Sequence, residues 1–158
     1  HSDFMDRILE LMDKYDIEPS LLHMEITETV YTENQNQILN MVNQMEKLGF
    51  KVEMDDFGSG YSSLCMLKNT PFDVLKMDRQ FLDECLDSKQ GKTIISHVIS
   101  MSNDLGLSII AEGVENRGTA DFLYDNGCSV SQGFYFSKPV PIPEFEHMLD
   151  EQQTEQQR

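Results

Sequence analysis

Apolar residues recur at helical spacing along the first stretch of the chain. Phe4, Met5, Ile8, Leu11, Met12 and Tyr15 form one stripe, behind a Ser2-Asp3 pair that can cap it, and they predict a helix over 4–15. The period then changes. Leu22-His-Met-Glu-Ile-Thr27 alternates and predicts a strand, with Glu25 inside it and Glu28 just past its end. A second helix is predicted over 34–48, with Ile38, Met41, Val42, Met45 and Leu48 on one face and Gly49 as its stop. A strand over 50–54 follows and closes on Asp55-Asp56.

The same alternation continues downstream. A short helix is predicted over 63–68, a third strand over 73–78 and a helix over 80–87. A longer helix is opened by Gly91 and closed by Gly106. A fourth strand covers 107–112 and a helix 116–125. A fifth strand lies within 128–136, and a last helix spans 144–149 behind Pro139, Pro141 and Pro143. The Gln/Glu-rich segment 151–158 reads as a disordered tail after one domain over 1–150.

Strand and helix alternate five times, so the fold class is α/β with a parallel sheet. Each predicted strand also ends in polar residues: Glu25, Asp55 and Asp56, Lys76 and Asp78, Glu112, and Gln132. Active sites of parallel α/β sheets and barrels lie at that edge. The five ends together point to a site that binds a metal and an anionic ligand.

Charge narrows the partners. The 158 residues carry 28 acids against 12 bases, a formal net charge of −16. A nucleic-acid polymer would need a basic face, so it is excluded as an electrostatic partner. An anionic small molecule can still bind where metal ions reverse the local field. Three cysteines with no paired spacing (Cys65, Cys85 and Cys128) argue for a reducing, cytoplasmic setting, with Cys65 and Cys128 as buried thiols. No apolar run approaches the roughly 20 residues of a membrane span, and no membrane contact by this segment is expected.

Met54-Asp-Asp-Phe-Gly-Ser-Gly-Tyr-Ser-Ser-Leu64 is the chemically densest stretch. Successive strand side chains point to opposite faces, so Asp55 and Asp56 serve one site only where the chain leaves strand geometry between or just after them. Gly58 and Gly60 supply backbone freedom there. Two adjacent carboxylates suit a divalent cation with oxygen ligands. They suit equally a helix cap or a solvated turn.

Several motifs stand in one register: Glu25-Ile-Thr-Glu28, Asp55-Asp-Phe-Gly-Ser-Gly-Tyr-Ser-Ser63, Leu75-Lys-Met-Asp78, Ala111-Glu-Gly-Val-Glu115 and Gln132-Gly133. In order and spacing they resemble the EAL domain, the family of bacterial cyclic di-GMP phosphodiesterases, over about residues 2–149. The resemblance implies a modified (β/α)8 TIM-type barrel that hydrolyses cyclic di-GMP to linear pGpG with two Mg²⁺ or Mn²⁺ ions. It implies Glu25, Asp55, Asp56 and Glu112 as metal ligands and Lys76 as the residue that contacts and activates the attacking water. Glu112 is counted with Lys76 and Glu28 as catalytic, Glu28 through bracing the loop after Asp56. Asp78, Gln132 and Tyr61 are implied at the substrate, and Glu115 as a supporting acid.

The Glu-Ala-Leu and Asn-x-Ser motifs of the family do not occur. Such barrels run to about 250 residues, so the chain is expected to be the C-terminal part, lacking roughly three strands. A homodimer through 63–68 and 80–105 is implied, and an upstream sensor or cyclase domain in the parent. The alternative is a non-catalytic cyclic di-GMP-binding or regulatory module.

Overall fold

The computed structural model of the chain describes residues 2–60 and 64–156, and the side chains of these except 2, 3, 65 and 153–156. Five strands form one sheet: β1 (His23–Thr27), β2 (Lys51–Phe57), β3 (Val74–Met77), β4 (Ser108–Ala111) and β5 (Val130–Ser131). All adjacent pairs are parallel, and the spatial order is the chain order, β1 to β5. The predicted α/β alternation is therefore present, with a strand at each expected position.

Among the described residues, eight α-helices and a 3-10 turn (Pro19–Leu21) accompany the strands: α1 (Ser2–Tyr15), α2 (Glu28–Glu33), α3 (Gln35–Leu48), α4 (Cys65–Asn69), α5 (Arg79–Leu86), α6 (Lys89–Asp104), α7 (Arg117–Asp125) and α8 (Ile142–Gln156). Parallel crossovers are right-handed. A sheet that always advances in one direction thus places its helices on a single side. That side carries Val52, Met54, Leu75, Met77, Ile109 and Ala111, all buried. The opposite face carries His23, Glu25, Glu53, Asp55 and Lys76. A strand order without reversal and a polar inner face are features of a barrel wall, not of a doubly wound sheet.

Local chemistry explains the main departures from the predicted elements. α2 replaces the loop expected before the second helix, with Glu28 in its first turn where an acid favours the helix dipole. α6 begins at Lys89, before Gly91, because the Ser88 hydroxyl accepts a hydrogen bond from Gly91 N at 3.0 Å and caps it. β5 has only two residues. α8 runs to Gln156, well past the predicted 149. Residues 151–156 are thus helical where a disordered tail was expected, since Glu and Gln propagate a helix readily.

Beneath the sheet, Tyr31 and Phe72 pack at 6.0 Å between ring centroids, and the Tyr31 hydroxyl hydrogen bonds with Thr70 Oγ1 at 2.7 Å. Cys128 is buried, and burial pushes its thiol pKa up. The side chain of Cys65 lies outside the described residues. Among the described residues no helix is long and apolar enough to cross a membrane.

Candidate metal centre

The first positioning device is in β2. Met54 pairs with Leu75 and Phe57 with Met77, so β2 spends one more residue than β3 between these pairs. The extra residue is a β-bulge. Asp56 takes it up in the left-handed region, at φ 56°. The bulge lets Asp55 and Asp56 share one site. The predicted break in strand geometry is present, but Asp56 makes it itself, ahead of Gly58 (φ 94°).

Around the bulge the neighbouring strands contribute their ends. Lys76 of β3 is 7% exposed. Its Nζ lies 2.8 Å from Glu25 Oε1, 3.0 Å from Asp55 Oδ1 and 2.9 Å from Glu112 Oε1. One ammonium thus joins acids from β1, β2 and the residue after β4. Burial alone would lower the lysine pKa; the carboxylates of Glu25, Glu112 and Asp55 outweigh it and hold it above the ordinary lysine range. Among these carboxylates Lys76 is therefore a cation and a hydrogen-bond donor.

Asp55, Asp56 and Glu112 form a second grouping. Each offers a carboxylate oxygen, and these lie within 4.8 Å of one another. Burial raises the Asp56 pKa, and the charges of Asp55 and Asp78 add to the effect. Asp55 Oδ1 is shut off from solvent and has no hydrogen-bond partner, so the nearby Lys76 pairs with it only as an ion. A buried carboxylate oxygen without a donor costs stability unless a cation takes it. Oxygen-only donors and excess negative charge around a buried carboxylate oxygen fit a hard divalent cation such as Mg²⁺ or Mn²⁺.

The remaining predicted residues take distinct places. Glu25 sits with Lys76 and is outside the group of three carboxylates. Glu28 is 3% exposed and reaches the loop after the bulge, where its Oε2 accepts from Gly58 N at 3.0 Å. A Cβ on Gly60 would come 3.2 Å from Glu28 Oε1, so this loop is closed tightly over the carboxylate. Asp78 caps α5, with Oδ1 accepting from Gln80 N at 2.8 Å, and adds negative charge beside Asp56. Gln132 is fixed through its backbone, its N donating to Ala111 O at 2.8 Å and its O accepting from Val114 N at 3.0 Å. It lines a separate cavity of about 440 Å³ with Gly113, Phe134 and Lys138. Tyr61 lies outside the described residues.

Two contacts were not foreseen. Arg79 Nη1 pairs with Glu115 Oε1 at 2.7 Å, while the arginine stem lies against Gly113, where an added Cβ would come within 2.5 Å of it. The pair ties the turn after Glu112 to the start of α5; Gly113 was its sequence signal. On the inner face, His23 Nδ1 pairs with Glu53, which is 4% exposed. Alternation along β1 and β2 was the available signal for that pair.

The model of the EAL domain matches residues 1–139. Among curated relatives, the cyclic di-GMP phosphodiesterase NbdA of Pseudomonas aeruginosa is 33% identical over 94% of this chain and 19% of its own length. The chain therefore spans about a fifth of that relative. Among solved structures, a PaMucR phosphodiesterase in complex with c-di-GMP superposes with TM-score 0.84 at 34% identity, over 92% of this chain and 59% of that one. Klebsiella pneumoniae BlrP1, solved with manganese and cyclic di-GMP, gives TM-score 0.82 at 29% identity, over 89% of this chain and 36% of that one.

Proposed function

The chain belongs to the EAL domain family, and from that premise we propose that it forms the metal-binding wall of a cytoplasmic phosphodiesterase site that cleaves cyclic di-GMP to linear pGpG. The observation that carries the reading is the cluster itself. Three cation-ready carboxylates and a lysine ammonium meet at the C-terminal rim of a barrel-type sheet.

In this reading Asp55, Asp56 and Glu112 hold a divalent cation, with Glu25 joining at the complete, two-ion site. Bound Mg²⁺ or Mn²⁺ supplies Lewis-acid stabilisation of the phosphodiester and lowers the pKa of water. Lys76 orients the attacking water and donates to phosphate oxygen. Glu112, 2.9 Å from Lys76, fixes the position of the ammonium that orients the water. Asp78, Gln132 and Tyr61 are assigned to the substrate side. Relatives named for this activity, and a phosphodiesterase solved with cyclic di-GMP, support the proposed reaction. A homodimer through α5 and α6 belongs to the same proposal, supported by the exposed Ile94 and Leu105.

A second reading has one observation in its favour. Among the described residues the acids gather into a single group of three, the complement of one ion rather than two. That arrangement fits a module that binds cyclic di-GMP without cleaving it. Incubating the chain with cyclic di-GMP and Mn²⁺, and resolving the nucleotides by chromatography, separates the two. Formation of pGpG is expected; saturable nucleotide binding with no pGpG would install the second reading.

Glu28 provides a sharper check on the loop. Glu28→Gln replaces the carboxylate that accepts from Gly58 N with a neutral amide. It is expected to reduce turnover by about 10- to 100-fold, the usual range for a residue that orients metal ligands. Melting temperature should move little. Turnover within twofold of the parent chain would show that the loop holds its shape without this charge.

A further inference from the structure

Lys76 has a further consequence that rests on the metal reading above. Its ammonium lies within 3.0 Å of carboxylate oxygens on Asp55 and Glu112, and both residues also belong to the group of three that would take the divalent ion. We propose that Lys76 is a resident counter-ion: it holds the ligand carboxylates of Asp55 and Glu112 together while no metal is bound, and it competes with the incoming cation for them.

The geometry supports both halves. Four acids, Glu25, Asp55, Asp56 and Glu112, converge on a half-buried rim. Without a positive charge among them they would repel one another at close range. Lys76 is nearly buried and touches three of the four, each from a different segment of the sheet, so it pins the strand ends in register. The same charge opposes a dication arriving at the same carboxylates. Glu25 gives the ammonium somewhere to remain when the others turn to the first ion: it is bonded at 2.8 Å, is the most exposed of the three partners, and lies outside the group of three that takes that ion. Binding then exchanges two of the lysine contacts for cation contacts and leaves the third. The site is preorganised when empty, at a cost in affinity.

Calorimetric titration of Mn²⁺ into the parent chain and into Lys76→Met tests this, with the melting temperature of each metal-free protein as a second readout. Lys76→Met should bind Mn²⁺ about tenfold more tightly, because one opposing charge is gone. Its metal-free form should melt about 10 °C lower, because a nearly buried charge network has lost its centre. The manganese-induced rise in melting temperature should be larger than in the parent. Lys76→Gln keeps a polar head and is the companion variant where the methionine protein does not fold.

Equal or weaker Mn²⁺ binding by the folded variant would overturn the competition and leave Lys76 as a simple brace. An unchanged metal-free melting temperature would overturn the bracing. Heat of Mn²⁺ binding in neither protein would remove the metal reading itself, and the counter-ion role with it. Binding in the variant alone would be the strongest form of the expected result.

Discussion

Asp55→Asn is expected to lower the turnover of cyclic di-GMP by at least about a hundredfold while leaving the fold in place. The amide keeps the volume and planarity of the carboxylate, so packing around the bulge is preserved. The charge is lost at a carboxylate whose Oδ1, among the described side chains, is buried without a hydrogen-bond partner. Lys76 keeps Glu25 and Glu112 as partners, and the repulsion that raises the Asp56 pKa is relieved. Metal-free stability should therefore hold or rise slightly as activity falls. Steady-state kinetics with Mn²⁺, run beside a thermal melt, reads both quantities. Turnover within tenfold of the parent chain would mean that Asp55 is not a ligand that the reaction needs.

Gly91→Ala is the substitution expected to damage the fold most for the atoms it adds. A Cβ there would sit 1.9 Å from the backbone oxygen of Cys85 and 2.6 Å from its carbonyl carbon. Those atoms are main chain at the end of α5 and cannot swing aside as a side-chain tip would. α6 must move off α5, away from the Ser88 cap and the packing of Ile95 and Ile99. Overpacking of this kind costs about 1–3 kcal/mol, and a rigid backbone neighbour places this case at the upper end. The loss in melting temperature is then about 6–12 °C for a chain of this size. Gly106→Ala makes the control, because its φ of 75° is strained for alanine but no atom lies within 4 Å of the added carbon. It should cost only about 1–2 kcal/mol. Equal melting temperatures for the two variants would show that α5 and α6 separate freely.

The fold was legible because its two periods are clean. Val52, Met54, Leu75, Met77, Ile109 and Ala111 mark the helix-facing side of three strands, and α3 and α6 carry regular apolar stripes. α2 was not legible: the strand passes from Thr27 directly into Glu28, with no Gly, Pro or polar spacer between the elements. The start of α6 was misplaced because a glycine is a visible punctuation mark and a capping serine is a quieter one. At the site, motif spacing identified the acids at the strand ends, but not how they divide. Lys76 gathers Glu25, Asp55 and Glu112, while the cation-ready set is Asp55, Asp56 and Glu112. That division depends on how far each side chain reaches across the sheet, which residue order alone does not encode.

The bulge in β2 also keeps count for the core. Without it, Phe57 would share the parity of Glu53 and Asp55 and project its ring among the carboxylates. With one residue of slack taken up at Asp56, Phe57 returns to the side of Met54 and Met77. There it is 2% exposed and meets Phe81 of α5 edge-on, with ring centroids 6.2 Å apart. Removing Asp56 would therefore take an acid from the rim and leave the ring in the core, because Phe57 would follow Asp55 in regular alternation. Straightening the strand with the residue retained is what would reverse the inside-outside frame between the bulge and α5 and evict an aromatic from the interior.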